Sequence, residues 1–393
     1  MFLTHRMSLG FGVAVLVHEL SKGLLAVGHN VCIGTLHSDY EIPGIQTYII
    51  NPDPEQIRGI AQSQQIDVII AQTSPFFEVL PALAPHFKCW AWENGDPSPE
   101  FFEADKEERK HIIVNKQMNV YPYVNGIITI SRFLSYDIEY LDSEVIHIAC
   151  DHTADLGKKT TSEINLFSKE PLKIGTLMRL GEGEALYKGN KLFLELCDGL
   201  KADGVNAEFY VMGRGSSGDA KMFEDKGIKV LRNASDEKRA KYLRELDIFI
   251  SPSQWEGFNL PIVEAMKSGT MGMVFDVGAH PEVCPFLYSS ISEMAAAIKR
   301  YSENKSLLLE HSEKCYNFVG RRFSWRKTVM QLLEVLSKNG AFSNSEKGYV
   351  PLPQNTETII INKQKSNLKK GLESLKNDGI LKTWRKARNV MFR

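Results

Sequence analysis

Neither sign of charge dominates this sequence, no cysteines are spaced as a metal or redox pair, and no apolar run is long enough to cross a bilayer. The 47 Lys and Arg almost cancel the 48 Asp and Glu. No overall field therefore draws the chain to nucleic acid or to an acidic partner. The six cysteines, Cys32, Cys89, Cys150, Cys197, Cys284 and Cys315, are scattered without a C-x-x-C pair. That spacing suits reduced thiols in a cytosolic protein and leads us to expect neither disulfide nor zinc. A membrane helix needs roughly 20 consecutive apolar residues, and no window approaches that. Met7 to Val17, preceded by Arg6, resembles the apolar stretch of a signal peptide. Gly10, Gly12 and the amphipathic run His18, Glu19, Ser21 and Lys22 read instead as a loop entering a helix, with no small-residue cleavage site after it. The expected address is cytoplasmic.

With 393 residues, 43% of them hydrophobic and 24% charged, the chain is expected to fold into two or three globular domains. Strand-like runs alternate with helix-length segments, the rhythm of an α/β protein. Strands are predicted at Met1 to Thr4, Asn30 to Thr35, Asp67 to Ala71, Phe87 to Trp92, Gly126 to Ser131 and Val145 to Ala149. A helix is predicted over Val13 to Ala26 and another from the end of Ser131 through Leu141. A polar stretch, Asp151 to Lys169, interrupts the rhythm. A second series then follows: strands Leu172 to Leu177, Ala207 to Met212, Ile228 to Leu231, Asp247 to Ser251 and Met271 to Phe275, with helices Asn190 to Ala202, Asp236 to Glu245 and Trp325 to Leu336.

The expected fold is α/β, with two Rossmann-like doubly wound domains at 1–155 and 171–338, joined by a linker at 156–170 and followed by a tail at 339–393. Ligands of open α/β sheets bind at the carboxyl ends of the strands, so function is to be sought between the domains. The tail has a charge of its own. From Lys363 to Arg393 it carries a net +8, against −9 for the rest of the chain. Leu368, Leu372 and Leu375, and then Ile380, Trp384, Ala387 and Met391, fall at helical spacing among these bases. Two short amphipathic helices are predicted, either packed back onto the first domain or simply solvated, or else lying on anionic lipid heads near a lipid-linked acceptor.

The segment richest in chemistry runs from Ile250 to Thr270. It reads as a strand, a loop and a helix, with Asn259 or Leu260 at the cap, Pro261 at the first helical position and Gly269 at the exit. A helix amino end attracts phosphate. Carboxylates beside it, here Glu256 and Glu264, suit the paired hydroxyls of a ribose or hexose, which donate hydrogen bonds in fixed geometry. The plainer alternative is that Glu264 favours the helix dipole and Glu256 is solvated, each worth about 0.3–1 kcal/mol.

Asp247 to Ser253, Glu256 to Pro261, Glu264-Ala265, Gly269-Thr270 and Asp276 to Glu282 resemble, in order and spacing, the signature of the retaining GT-B glycosyltransferases of group 1, the family-four class. The resemblance extends over roughly residues 8–338 and leaves the tail outside. It implies that Glu264 binds the ribose of a nucleotide-sugar donor and that Glu256 meets hydroxyls of the transferred sugar. Backbone amides of the Gly257, Phe258, Asn259 and Leu260 turn would contact sugar or diphosphate. Asn259 stands where the family has glycine, either capping the helix or reshaping the sugar pocket.

The resemblance also places Arg179 and Lys188, followed by Gly189, at the diphosphate, where they would stabilise the charge of a departing nucleoside diphosphate with no metal and no cofactor. Gly12, in the Gly10-Phe11-Gly12 loop, would approach the donor. Gly213-Arg214-Gly215 is read mainly as a turn. On the acceptor side Glu93 or Asp96 would do the polar work near the sugar, and Trp90 and Trp92 are read as core. The implied activity is transfer of a hexosyl residue, with retention of configuration, to a saccharide or lipid-linked acceptor in cell-envelope polysaccharide or glycolipid synthesis. The alternatives are a sugar-nucleotide epimerase or hydrolase and an inactive scaffold. A nicotinamide oxidoreductase would need a third glycine where Val15 stands.

Overall fold

The computed structural model describes residues 1–8, 10–153, 157–164, 170–181 and 185–340. The helices expected in the tail lie outside the described residues. Among these residues the first domain holds a seven-stranded parallel sheet: β1 (Phe2–Met7), β2 (Cys32–Ser38), β3 (Gln46–Ile49), β4 (Val68–Ala71), β5 (Lys88–Glu93), β6 (Gly126–Thr129) and β7 (Glu144–Val145), in the order β3-β2-β1-β4-β5-β6-β7. The second holds six parallel strands: β8 (Leu172–Arg179), β9 (Ala207–Arg214), β10 (Lys229–Arg232), β11 (Ile248–Ser251), β12 (Met271–Phe275) and β13 (Leu287–Tyr288), in the order β10-β9-β8-β11-β12-β13. β4, β11 and β12 are buried along their whole length, as strands covered by helices on both faces must be. Trp90 and Trp92 are fully buried within the first domain.

The helices that matter for the site are α1 (Gly12–Ala26), α2 (Pro54–Ser63), α3 (Arg132–Asp137), α4 (Asn190–Ala202), α5 (Asp236–Glu245), α6 (Leu260–Lys267) and α7 (Trp325–Lys338). α1 buries Leu16, Val17, Leu20 and Leu24 along one face. α7, last of the described helices, packs on α1, and its Thr328 hydroxyl donates to the His147 carbonyl at 2.9 Å. It ties the end of the second domain to the first.

Several elements differ from the expected bounds for local reasons. β1 runs on to Met7 because pairing with β2 continues as far as Ser38. β8 reaches Arg179, paired with Arg214 at the end of β9. The helix expected to continue through Leu141 stops at Asp137, since Glu139 takes a left-handed φ of 57°. β3 and α2 are additions to the expected elements. β3 is a half-exposed edge strand, and α2 starts at Pro54 behind an Asp53 side-chain cap.

Each sheet reverses its strand order once, between β1 and β4 and between β8 and β11. The loops leaving these strands diverge there and open a crevice at the carboxyl ends.

Candidate active site

A cavity of about 620 Å³ is lined by both switch points. The first domain contributes residues after β1, including Gly10 and Phe11, with Thr73 after β4 and Asn94 and Gly95 after β5. The second contributes Arg179, Lys188, Arg214, Arg239 and the turn from Trp255 to Pro261. The backbone of the first wall is held by its own polar groups. His5 N–H donates to the Thr73 hydroxyl at 2.8 Å, and Asn94 Nδ2 donates to the Gln72 carbonyl at 3.0 Å.

Lys188 and Glu256 meet on the second wall. Lys188 Nζ lies 2.9 and 3.1 Å from the two Glu256 carboxylate oxygens. The lysine is placed by the next residue. Gly189 caps α4 at a left-handed φ of 76°, and a Cβ there would fall 2.1 Å from the Pro252 carbonyl oxygen. The Glu256 carbonyl is fixed by the Ala279 amide at 2.9 Å. Gly257 lets the turn approach the first domain, where a Cβ would come within 2.7 Å of the Asn94 carbonyl oxygen. Phe258 and Leu260 line the cavity and are otherwise buried.

Asn259 takes the helix cap. Its φ is 75°, a conformation that asparagine adopts more readily than most residues, and its Oδ1 accepts from the Ile262 amide at 3.3 Å. Its Nδ2 donates to Ser251 Oγ at 2.7 Å and reaches His280 Nε2 at 2.8 Å. The other ring nitrogen of His280 lies 2.7 Å from the Phe275 carbonyl, which fixes the proton on Nδ1 and leaves Nε2 to accept. Burial lowers the His280 pKa, in keeping with this neutral ring.

Glu264 is fully buried one helical turn inside. Its Oε1 accepts from Arg239 Nη2 and from His152 Nε2, both at 2.9 Å. Trp325 Nε1 donates to His152 Nδ1 at 3.1 Å, so the histidine carries its proton toward the carboxylate. Glu264 Oε2 is buried without a hydrogen-bond partner. Arg239 stands between this carboxylate and the cavity wall, which Glu264 itself does not reach.

The other expected residues divide. Arg179 lines the cavity, with its guanidinium carbon 4.7 Å from the Phe11 ring centroid. Gly12 opens α1 on the cavity wall, and a Cβ there would meet nothing within 4 Å. Glu93 and Asp96 are not brought to the wall. Lys116 Nζ lies 2.8 and 2.9 Å from the Glu93 oxygens and 2.5 Å from Asp96 Oδ2, and the Tyr121 hydroxyl donates to Glu93 at 2.7 Å. Burial alone would lower the Lys116 pKa, but these two carboxylates carry it above its ordinary value. The polar groups of the segment that line the cavity lie instead at Asn94 and Gly95.

The two domains are clamped beside the cavity by Glu282, whose carboxylate accepts from the Arg132 and Phe133 amides at 2.9 and 2.8 Å and from His147 Nε2 at 2.9 Å. Burial would raise this carboxyl, but His147 and the amides outweigh it and hold the pKa below its usual value. An aromatic seam runs alongside, with Tyr187 and Trp255 of the second domain in ring contact with Phe101, Phe102 and Phe133 of the first. Sequence alone assigns no role to His152, Arg239, Arg6 or Arg214, because nothing local distinguishes them from surface polar residues.

Two doubly wound domains facing across such a cleft define the GT-B fold, and the chain has it. Residues 174–304 match the sequence model described as glycosyl transferases group 1. An MMP alpha-(1->4)-mannosyltransferase of Mycolicibacterium hassiacum is 32% identical over 112 residues, a match spanning 26% of this chain and only 27% of that protein. Among solved structures, a sucrose-phosphate synthase from Thermosynechococcus elongatus superposes with a TM-score of 0.71 at 15% identity, over 86% of this chain and 98% of that one. Anabaena HepE in complex with UDP and glucose superposes with a TM-score of 0.66 at 16% identity, over 86% of this chain and 100% of that one.

Proposed function

We propose that this protein is a retaining glycosyltransferase that moves a hexosyl residue from a nucleotide-diphosphate sugar to a saccharide or lipid-linked acceptor, in cell-envelope polysaccharide or glycolipid synthesis. The observation that carries this reading is the Lys188–Glu256 pair beside Arg179 at the amino end of α6, in a cavity shared by two domains. The 112-residue similarity to a mannosyltransferase supports it, as does a structural neighbour that holds UDP and glucose.

In this reading the diphosphate lies against Arg179, Lys188 and the amino end of α6. As the anomeric carbon–oxygen bond breaks, negative charge grows on the departing phosphate. Fixed cations stabilise that charge more in the transition state than in the ground state. These side chains do the neutralising, so the reading requires no metal. The acceptor hydroxyl attacks the anomeric carbon on the same face, and the departing diphosphate takes its proton. Glu256 accepts hydrogen bonds from sugar hydroxyls, and the bare Oε2 of Glu264 takes a ribose hydroxyl once the entering nucleotide displaces the Arg239 side chain that separates it from the cavity.

Calorimetric titration with UDP, GDP and ADP, followed by product analysis with the matching sugar donors, tests this function. Micromolar binding of one nucleotide and an α-glycoside formed from its α-linked donor are expected. Free sugar as the sole product would make the protein a hydrolase, and folded protein that binds no nucleotide would make it a scaffold.

Among the described residues no helix is long and apolar enough to cross a membrane. The basic tail lies outside those residues, and in this reading it rests on anionic lipid near a lipid-linked acceptor. Deleting Lys363 to Arg393 is expected to abolish sedimentation with anionic liposomes at low salt. Sedimentation that survives the deletion would remove the membrane from the proposal.

A further inference from the structure

The amino end of α6 offers fewer donors than a helix usually does. The first amides of a helix, here those from the Asn259 cap to Ile262, find no partner inside it. Pro261 has no N–H, and the Ile262 amide is taken by Asn259 Oδ1 at 3.3 Å. The Asn259 and Leu260 amides are left for a ligand, and both residues line the cavity. Where these amides point depends on the backbone of Asn259, whose φ of 75° and ψ of 68° lie in the left-handed region. Glycine adopts that region freely, whereas asparagine does so less readily and needs support.

The support is a closed set of hydrogen bonds. The Ile262 amide can only donate, so the Asn259 atom facing it is Oδ1, and the atom facing Ser251 and His280 is Nδ2. Nδ2 has two hydrogens, one for Ser251 Oγ at 2.7 Å and one for His280 Nε2 at 2.8 Å. His280 Nδ1 in turn donates to the Phe275 carbonyl at 2.7 Å, so the ring cannot turn without losing a bond at each end. All three side chains are buried, and an Asn259 N–H left without its acceptor could not turn to water.

The loop that carries His280 grips the same turn at a second point. The Ala279 amide donates to the Glu256 carbonyl at 2.9 Å. Gly278, at a left-handed φ of 56°, lies so close to that residue that a Cβ would fall 2.6 Å from its carbonyl oxygen and 2.9 Å from its nitrogen. Two residues beyond His280, Glu282 holds the first domain through the Arg132 and Phe133 amides. The imidazole therefore stands on a fixed base.

We propose that His280 is a positioning residue for the sugar donor: by accepting from Asn259 Nδ2 it holds the cap of α6 in the left-handed conformation that turns the Asn259 and Leu260 amides to the diphosphate. The inference rests on the glycosyltransferase reading and adds a residue to that same site. His280 lies off the cavity wall and acts through Asn259. Asn259 engages its amide oxygen and both amide hydrogens inside the protein, so it caps the helix rather than meeting the sugar.

The test is a double-mutant cycle on the full chain, read as affinity for whichever of UDP, GDP and ADP the wild type binds, with melting curves confirming that each variant is folded at the temperature of titration. His280→Leu leaves one Asn259 N–H buried without an acceptor and is expected to weaken binding about tenfold. His280→Gln, whose side-chain oxygen can accept in place of Nε2, is expected to bring affinity back to within about threefold of wild type. In an Asn259→Gly background no amide needs holding and glycine adopts the turn unaided, so His280→Leu is expected to cost less than about twofold further. Should His280→Leu fail to fold, His280→Phe, which keeps a ring and lacks the acceptor, takes its place. A loss that persists undiminished in the glycine background, or that His280→Gln does not relieve, makes His280 a packing residue and overturns the proposal while nucleotide binding stands. Full affinity in His280→Leu overturns it as well. If no nucleotide binds, the transferase reading falls and takes this inference with it.

Discussion

Replacing Lys188 by alanine is expected to lower the turnover of sugar transfer by about 10²–10³-fold, the cost of deleting one preorganised group aimed at charge that develops in the transition state. The ammonium is held by Glu256 at 2.9 and 3.1 Å, and the next residue, Gly189, lies so close to the Pro252 carbonyl that no side chain fits there. A lysine ammonium has three donors, so contact with both Glu256 oxygens is compatible with a further bond to a phosphate oxygen. Glu256→Gln in the same background separates the two roles. If Lys188 only neutralises Glu256, the double variant recovers most of the lost turnover. If it stabilises the departing diphosphate, Lys188→Ala costs nearly as much in the Glu256→Gln background as in the wild type. Unchanged turnover in Lys188→Ala would remove it from the chemistry altogether.

The parts of this molecule that could be read from sequence are those whose causes are local. Helices Asn190–Ala202 and Asp236–Glu245 and strand Met271–Phe275 fall at the expected bounds, because apolar periodicity and flanking polar residues define them within a short window. The turn from Glu256 to Leu260 and the helix after it are likewise contiguous, and their cap chemistry is visible in Asn259 and Pro261. Strand β3 escapes because Gln46 to Ile49 lie on a half-exposed edge and form no apolar run. The supports of the site escape for another reason. His152 meets Glu264 across 112 positions and Trp325 across 173, and Glu282 reaches the Arg132 amide across 150. No short-range pattern carries such contacts, since they arise only when two domains close on each other. Glu93 shows the converse: an acid in a suggestive position whose lysine partner, 23 residues away, turns it inward.

Glu264→Ala is expected to destabilise the protein by about 3 kcal/mol and to abolish measurable nucleotide binding. The stability loss follows from removing one partner of a buried charge pair, which leaves the other uncompensated. It falls at the low end of that range because the Arg239 side chain retains 17% exposure and His152 retains 11%. Differential calorimetry should show the loss as a lower melting temperature. The binding loss has two candidate origins, and His152 separates them. His152→Ala removes the link from Glu264 to Trp325, and so to α7, but leaves the carboxylate and Arg239 in place. If Glu264 acts on nucleotide only by joining the domains, His152→Ala lowers nucleotide affinity as much as Glu264→Ala does. If the bare Oε2 takes a ribose hydroxyl, His152→Ala lowers the melting temperature and leaves affinity within a few-fold of wild type. Affinity that survives Glu264→Ala itself would exclude the ribose contact, and Glu264 would then be only a buried anchor for Arg239 and His152.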